Sequence, residues 1–269
     1  MLGALPIDML HLVFAHVDEL ESCALVSLRM RDVVRTILAP THVRMGDDVA
    51  TAIDAARPGA TLVFEPGRHR VEGVLYVQKR VRLVGSGDSC IVSHVRTLLR
   101  AWAFLRVDNL MLCCEGKGMS VLRPASVVHQ NESTLVLHRC MITCGTLPHY
   151  GLVQQYGLVQ QTTGVWASLG ASVYLRRCTV FGCPGSALRV DGGTIVANDS
   201  TLSHSGRESN VIARGGVLRL HRCRIHSARG DGVTLWNDTD ALLDSNSIYG
   251  NHGMGVSCYD DTRARTTHT

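Results

Sequence analysis

One six-residue phrase recurs through the C-terminal half of the chain at a nearly fixed spacing. Its copies are Leu-His-Arg-Cys-Met-Ile at 137–142, Leu-Arg-Arg-Cys-Thr-Val at 175–180, Ala-Asn-Asp-Ser-Thr-Leu at 197–202, Leu-His-Arg-Cys-Arg-Ile at 220–225 and Leu-Asp-Ser-Asn-Ser-Ile at 243–248. The fourth residues, Cys178, Ser200, Cys223 and Asn246, lie 22, 23 and 23 positions apart, and Cys140 precedes Cys178 by 38. A fixed period of this length predicts a solenoid, in which each repeat is one turn stacked on the previous one.

Each repeat predicts short β-strands and tight turns. Five and three residues before the fourth position stand apolar residues such as Leu218 and Leu220, which would share one face of a strand. A second apolar alternation follows, as in Val233 and Leu235, and glycines such as Gly230 separate the two. Because 22–23 residues leave no room for a helical crossover, we predict a mainly β fold, a right-handed parallel β-helix with one coil per repeat.

Stacking of the repeats predicts a role for the recurring fourth residue. Successive coils would lie about 4.8 Å apart, so the apolar residues would form a dry core and the small polar residues a column of their own. A small side chain at a tight bend can turn inward and bond to the neighbouring coil. The cysteines of this column are therefore expected to be structural.

The β-helix is predicted to span residues 47–269 and to carry one insertion. Residues 47–59 form a predicted capping helix, with Asp47 and Asp48 at its start and Pro58-Gly59 at its end. The hexapeptide Tyr-Gly-Leu-Val-Gln-Gln at 150–155 is repeated without change at 156–161. We expect a projecting loop at 146–164, either as a binding element or as a tolerated duplication.

The beginning of this region resembles the pectin-lyase-like β-helix superfamily. The resemblance rests on Pro58-Gly59, Leu62, Phe64 and Pro66-Gly67, with His69 where an aromatic residue is usual. It implies a β-helix fold, and that superfamily includes both sugar-cleaving enzymes and binding repeats without catalysis.

A carbohydrate-active enzyme would need paired carboxylates for acid and base chemistry. The available candidates are Asp231, Asp238, Asp240, Asp260, Asp261 and His252. Aspartate is also a common turn residue, and these positions fall mainly at turns or near the C-terminal end. We therefore expect that the chain is not an enzyme and has no catalytic residues.

The sequence of residues 1–38 predicts a small all-α module, and residues 39–46 are predicted to form a linker. The module begins with Leu-Pro and contains two helix-like segments with apolar faces. It resembles an F-box, although Met30 stands where the family usually has Trp, and the alternative is a helical cap on the solenoid. In an F-box protein the residues that contact the ligase adaptor would be Leu5, Pro6, Ile7, Leu10, Val13, Phe14, Val17, Leu25, Val26 and Met30.

An F-box joined to β-helix repeats implies a substrate-recognition adaptor of an SCF-type, cullin-RING E3 ubiquitin ligase. The F-box would bind the small adaptor and thereby the cullin scaffold, and the β-helix would bind the target protein. The alternatives are a carbohydrate-active β-helix enzyme, similar to polysaccharide lyases or hydrolases, and a protein-binding scaffold outside any ligase.

Arginines recur beside the small polar column. Arg139, Arg177 and Arg222 occupy the same repeat position, with Arg219 and Arg224 nearby. On stacked coils they would form a basic stripe suited to an acidic or phosphorylated segment, because Arg forks bind carboxylates and phosphates. A solvated turn edge in an arginine-rich chain is the other interpretation, since only Lys79 and Lys117 are lysines among 27 basic residues.

Composition favours an intracellular protein of the cytoplasm or nucleus, in the host cell if the protein is viral. No apolar run predicts a membrane span or a signal peptide. Ten cysteines, several of them in the repeat, do not resemble a secreted disulfide framework. No metal or cofactor is expected, and a net charge of +4 is too small to predict nucleic-acid binding.

Overall fold

The computed structural model describes residues 39–95, 97–115, 125–130, 133–144, 162–206, 208–260 and 262–267. The predicted F-box-like module at 1–38, with all ten of its adaptor-contacting residues, lies outside the described residues. So do residues 145–161, which include the repeated hexapeptide.

A short strand and one short helix open the described chain. Strand β1 (Thr41–Val43) lies within the segment predicted as a linker, and helix α1 (Val49–Ala55) lies within the predicted capping helix. Asp48 is the N-cap of α1, and its carboxylate accepts a hydrogen bond from the N–H of Ala50 at 3.0 Å. Val49 and Ile53 are buried against the first turn of the coil, so α1 covers its end.

The remaining strands within the described residues are short and regularly spaced. In chain order they are β2 (Thr61–Phe64), β3 (Gly67–Val71), β4 (Leu75–Val77), β5 (Val81–Gly85), β6 (Ser89–Ser93), β7 (Leu99–Ala101), β8 (Leu105–Asp108), β9 (Met111–Cys114), β10 (Ala125–Gln130), β11 (Thr134–His138), β12 (Met141–Cys144), β13 (Thr162–Ala167), β14 (Ser172–Arg176), β15 (Thr179–Phe181), β16 (Leu188–Asp191), β17 (Thr194–Asn198), β18 (Thr201–Ser203), β19 (Val211–Arg214), β20 (Val217–His221), β21 (Arg224–His226), β22 (Val233–Trp236), β23 (Asp240–Asp244), β24 (Ser247–Tyr249), β25 (Val256–Cys258) and β26 (Arg263–Thr267).

These strands form three parallel sheets that wrap around one core. Sheet A has the order β1-β2-β5-β8-β11-β14-β17-β20-β23-β26, sheet B runs from β3 to β24 through every third strand, and sheet C runs from β4 to β25 in the same way. The chain passes from sheet A to B to C and back, in about eight turns within the described residues. The predicted parallel β-helix is therefore confirmed.

The core consists of residues that stack on their counterparts one turn away. Ile195, Leu218 and Ala241 follow one another in the register of sheet A, and each is at most 2% exposed. Residues between them in the strands point outward, which is the alternation expected of strands that are buried on one face.

A single residue in the left-handed conformation makes the bend from sheet A to sheet B. On six successive turns that residue is Asn109, Arg139, Arg177, Asp199, Arg222 and Ser245, with φ between 50° and 55°. Its backbone N–H continues the ladder to the next turn, as in Arg139 to the carbonyl of Arg176 at 2.9 Å. The bend therefore changes direction without losing a hydrogen bond.

The small polar column follows directly after this bend and points inward. Cys140, Cys178, Ser200, Cys223 and Asn246 are all at most 4% exposed. The thiols of Cys140 and Cys178 lie 3.3 Å from the carbonyls of Val107 and Leu137, and Ser200 Oγ accepts from the N–H of Cys178 at 3.1 Å. The column is structural, as the repeat predicted.

Candidate acidic-ligand face

The outward side of sheet A and the adjoining bend carry a concentration of positive charge. We call Arg82, Arg106, His138, Arg139, Arg176 and Arg177 the basic band; these residues lie on β5, β8, β11, β14 and the bends after β11 and β14. The register aligns Arg82 with Arg106 and His138 with Arg176. Four consecutive turns therefore present five arginines and one histidine on one face.

A buried carboxylate lies inside the band. Asp108, whose side chain is 3% exposed, accepts from the Nε–H of Arg82 at 2.7 Å and from that of Arg106 at 2.9 Å. The Nη2 of Arg106 also donates to Asp108 at 3.1 Å, and His138 Nδ1 lies 3.3 Å from the same carboxylate. The side chains of Arg82 and Arg106 are nearly half exposed, whereas the carboxylate is buried, so the carboxylate lies beneath them and orients their guanidinium groups.

Burial and hydrogen bonding act on Asp108 in opposite directions. Burial raises the pKa of this carboxyl, but the hydrogen bonds and positive charges of Arg106 and Arg82 outweigh it, and the pKa is lowered. Asp108 is therefore ionised at neutral pH, which leaves the two arginines with one net positive charge.

The C-terminal part of the band has no direct ion pair among the described residues, and Asp199, which is bonded to Arg222, acts on Arg176 and Arg177 only at longer range. Arg139, Arg176 and Arg177 are exposed, and none of them forms an ion pair with another described residue. Tyr174, 43% exposed, lies on the same outward face of β14. These side chains offer arginine forks and an aromatic ring to a ligand.

The structure divides the predicted arginine stripe. Arg139, Arg177 and Arg222 do occupy equivalent bends, but Arg222 is engaged by Asp199 through bonds of 2.7 and 3.1 Å. Arg219 lies on sheet A and pairs with Asp240 at 2.5 Å, while Arg224 lies on sheet B and so points from another face. Of the five predicted arginines, Arg139 and Arg177 belong to the basic band.

The sequence also contained signals for the residues that the stripe omitted. Arg106 and Asp108 are the two outward positions of one strand in the phrase Leu-Arg-Val-Asp, and Arg82 is the outward residue aligned with Arg106 on the previous turn. These turns precede the recognisable repeat phrase, so their register was not evident from the sequence.

The described carboxylates that were considered for acid and base catalysis have structural roles at bends, between turns or in an ion pair. Asp231 accepts from the N–H of Met254 at 2.7 Å and from the hydroxyl of Ser257 at 2.6 Å, so it joins two turns of the coil. Asp238 and Asp260 have positive φ, as bend residues do, and Asp240 pairs with Arg219. Asp261 lies outside the described residues.

The described residues contain no group of three or more His, Cys, Asp or Glu side chains arranged to hold a metal ion. Among them, no helix is long and apolar enough to cross a membrane.

Comparisons with known proteins agree with this architecture. A family model described as "Right handed beta helix region" matches residues 163–269. A PL6 family alginate lyase has a TM-score of 0.54 at 13% identity over 85% of this chain and 39% of its own, and a pectin methylesterase from Aspergillus niger has a TM-score of 0.49 at 11% identity over 85% and 84%. The protein has a right-handed parallel β-helix fold.

A curated relative is similar over most of the chain. It is the mouse SHC SH2 domain-binding protein 1, which is 21% identical over 230 residues. The match covers 80% of this chain, which therefore spans little more than a quarter, 28%, of the relative's length.

The structural neighbours correct one expectation. The sequence predicts that the chain is not an enzyme, but its fold is shared with a PL6 family alginate lyase, which is an enzyme by name, and the fold therefore contradicts that expectation. The structural roles of Asp231, Asp238, Asp240 and Asp260 concern only those residues and do not bear on catalysis elsewhere on the surface. The fold is shared by enzymes and by proteins that only bind.

Proposed function

We propose that the β-helix binds an acidic protein segment along the basic band. The observation that carries this proposal is the set of three exposed arginines, Arg139, Arg176 and Arg177, without an ion-pair partner among the described residues. Further along the coil, Asp199 forms an ion pair with Arg222, and Asp240 forms one with Arg219. The band is thus a place where an external anion would supply the missing negative charge.

The shape of the band suits an extended chain. Its residues stack at about 4.8 Å per turn, so four turns span roughly 14 Å, which about four residues of an extended peptide can follow. Arginine forks would bind Asp or Glu side chains and Tyr174 would contact apolar groups of the segment. The mouse relative is named as a protein that binds an SH2 domain, and this supports a protein ligand.

An acidic polysaccharide is the second candidate. Sheet C carries stacked aromatic pairs on its outward side, Trp236 with Tyr259 at 4.1 Å and Tyr76 with Trp102 at 5.5 Å between ring centroids. Exposed rings can pack on sugar faces, and the alginate lyase neighbour has this fold. This ligand would lie on sheet C rather than on the basic band.

Binding measurements with two acidic polymers separate the candidates. We would titrate the full chain with fluorescein-labelled octaglutamate and with an oligogalacturonate of matched charge, and would also measure release of unsaturated or reducing ends from the sugar. The variant Arg139→Gln/Arg176→Gln/Arg177→Gln should lose octaglutamate binding. A control with the same charge change on other faces, Arg214→Gln/Arg224→Gln/Arg229→Gln, should keep it.

The two triple variants also show which results would contradict binding at the basic band. Equal weakening by both would mean that net charge alone attracts the peptide. Binding of the sugar that depends on Trp236 and Tyr259, or its cleavage, with no binding of octaglutamate, would favour the carbohydrate function.

The ligase-adaptor role of residues 1–38 stays a prediction. Within the proposed function it would bring the bound segment to an SCF-type ligase. Co-purification of the full chain with the small adaptor and cullin, beside a Leu5→Ala/Pro6→Ala/Phe14→Ala variant, tests it. Capture by the intact chain alone would support the role, and capture by neither folded chain would contradict it.

A further inference from the structure

The cluster around Asp108 differs from an ordinary surface ion pair. Here one carboxylate, whose side chain is 3% exposed, orients the guanidinium groups of two arginines whose side chains are 46% and 43% exposed. In the pairs Arg222–Asp199 and Arg219–Asp240, by contrast, one arginine meets one carboxylate that lies at the surface with it. Burying the charged carboxylate of Asp108 costs free energy, and the two arginine side chains still face solvent.

The two arginines keep hydrogen-bond donors for a ligand. A guanidinium group has five N–H donors. Within the described residues, Arg82 uses its Nε–H on Asp108, and Arg106 uses Nε–H and one N–H of Nη2. The remaining donors stand on neighbouring turns, about 4.8 Å apart along the sheet. This spacing suits a group with several oxygens that can accept from both forks at once.

The charge of the cluster also selects among anions. Two arginines and one ionised carboxylate give a net charge of +1, and His138, aligned with Asp108 on the next turn, adds positive charge when protonated. A phosphate monoester carries a charge of about −1.5 to −2 at neutral pH and three acceptor oxygens. A carboxylate carries one charge and two oxygens, so it gains less from two preoriented forks.

We propose that Arg82 and Arg106, oriented by Asp108, form a phosphoryl-binding site that recognises a phosphorylated residue in the bound protein segment. This inference rests on the proposed function, because Arg139, Arg176 and Arg177 bind the acidic residues of the same segment. Arg176 lies two turns from Asp108, or roughly 10 Å, which an extended chain covers in about three residues. The preferred ligand therefore has acidic residues about three positions from its phosphorylated residue.

The test uses two capped peptides that differ by one phosphate. They are acetyl-Gly-Ser-Gly-Gly-Glu-Glu-Gly-amide with a phosphorylated or an unmodified serine, titrated into the full chain by calorimetry. We expect the phosphorylated peptide to bind roughly tenfold tighter, since one or more charge-assisted hydrogen bonds are added. Equal affinity for the two peptides would overturn the proposal.

Replacement of Asp108 separates orientation from simple attraction. Asp108→Asn makes the face more positive by one charge, so attraction alone predicts tighter binding of the phosphopeptide. The proposal predicts the opposite, a loss of most of the phosphate preference, because the forks are no longer held. Asp191→Asn is the matched control, since Asp191 pairs with Arg189 at 2.8 Å on sheet C, and the preference should survive there.

Two further measurements distinguish misfolding of a variant, failure of the phosphoryl site and failure of the proposed function. If Asp108→Asn does not fold, as judged by circular dichroism, Arg82→Gln keeps the Asp108–Arg106 bonds and should reduce the preference in the same direction. A phosphate preference that survives either folded variant would overturn the site. Binding of the unmodified peptide that still depends on Arg139, Arg176 and Arg177 would show that the proposed function stands while the phosphoryl site fails.

Discussion

The backbone N–H of Cys223 donates to the side-chain oxygen of Asn246, one turn further along the coil, over 2.8 Å. The amide nitrogen of Asn246 in turn donates to the carbonyl of Leu220 at 2.9 Å. One buried side chain thus bonds to two backbone groups of the preceding turn, one in strand β20 and one directly after the bend.

Replacement of Asn246 by alanine should therefore destabilise the coil. It would leave the buried N–H of Cys223 without its partner and would remove one bond to the Leu220 carbonyl, so we expect a loss of about 2 kcal/mol in the free energy of unfolding. Urea denaturation of the full chain measures this loss. Ser247→Ala, one residue away and exposed, is the control and should change stability by roughly 0.5 kcal/mol or less.

The bend at Arg177 allows a test of backbone conformation that is separate from charge. Arg177 has a φ of 55°, whereas its neighbour Arg176 lies in strand β14. Arg177→Val should lower stability by about 1–2 kcal/mol, because a β-branched residue is strained in this conformation. Arg177→Asn should be tolerated, since asparagine adopts it readily.

The matched substitution Arg176→Val removes the same charge and side chain from an extended position. It should leave the melting temperature nearly unchanged, because valine favours strands. If the two valine variants melted together well below the native chain, loss of the arginine itself, and not backbone strain, would be responsible.

Acid should remove the contribution of Asp108 to stability. Its folded-state pKa is lowered, so the ionised form stabilises the fold at pH values above the ordinary carboxyl pKa of 3.8. That stability is lost as pH falls through the lower, folded-state pKa. The difference in unfolding free energy between the native chain and Asp108→Asn should be largest near neutral pH and should disappear in strong acid.

Unfolding curves from pH 7 to pH 2 measure this difference, with Asp191→Asn as the control variant. A difference that stayed constant across the range would mean that Asp108 contributes through shape and not through its charge.

Cysteine reactivity should follow burial. Burial raises the pKa of Cys90 and of Cys223 to about 11 and that of Cys114 to about 12, whereas Cys258 is exposed. Among the nine described cysteines, Cys258 should react first with iodoacetamide at pH 7.5, because the thiolate is the nucleophile. Mass spectrometry after limited alkylation gives the order, and early labelling of Cys223 would contradict the buried column.

The repeat phrase predicted the coil because stacking forces equivalent residues into equivalent places. Cys140, Cys178, Ser200 and Cys223 could be assigned to one inward column from spacing alone, and the structure places them there. The partners of surface charges could not be assigned in this way. Asp199 lies one turn from both Arg177 and Arg222 on equivalent bends, but it bonds only to Arg222, and this choice depends on side-chain geometry that the repeat does not encode.

The basic band was only partly predictable for the same reason. Arg139 and Arg177 belong to the repeat, but Arg82, Arg106 and Asp108 belong to earlier turns, where the bend residue after Asp108 is Asn109 and the small polar column is replaced by Leu110. Because these turns lack the repeat phrase, their strands could not be aligned from the sequence. Arg82, Arg106 and Asp108 could therefore not be recognised as neighbours.

The location of the bound segment is the most direct test of the account. We would place the photoreactive residue p-benzoylphenylalanine at Tyr174, on the basic band, or at Tyr249, on sheet B, which are 43% and 53% exposed. Each full chain would then be irradiated with labelled octaglutamate. The account predicts an adduct from position 174 and little or none from 249. An adduct from 249 alone, or equal yields from both positions, would contradict it.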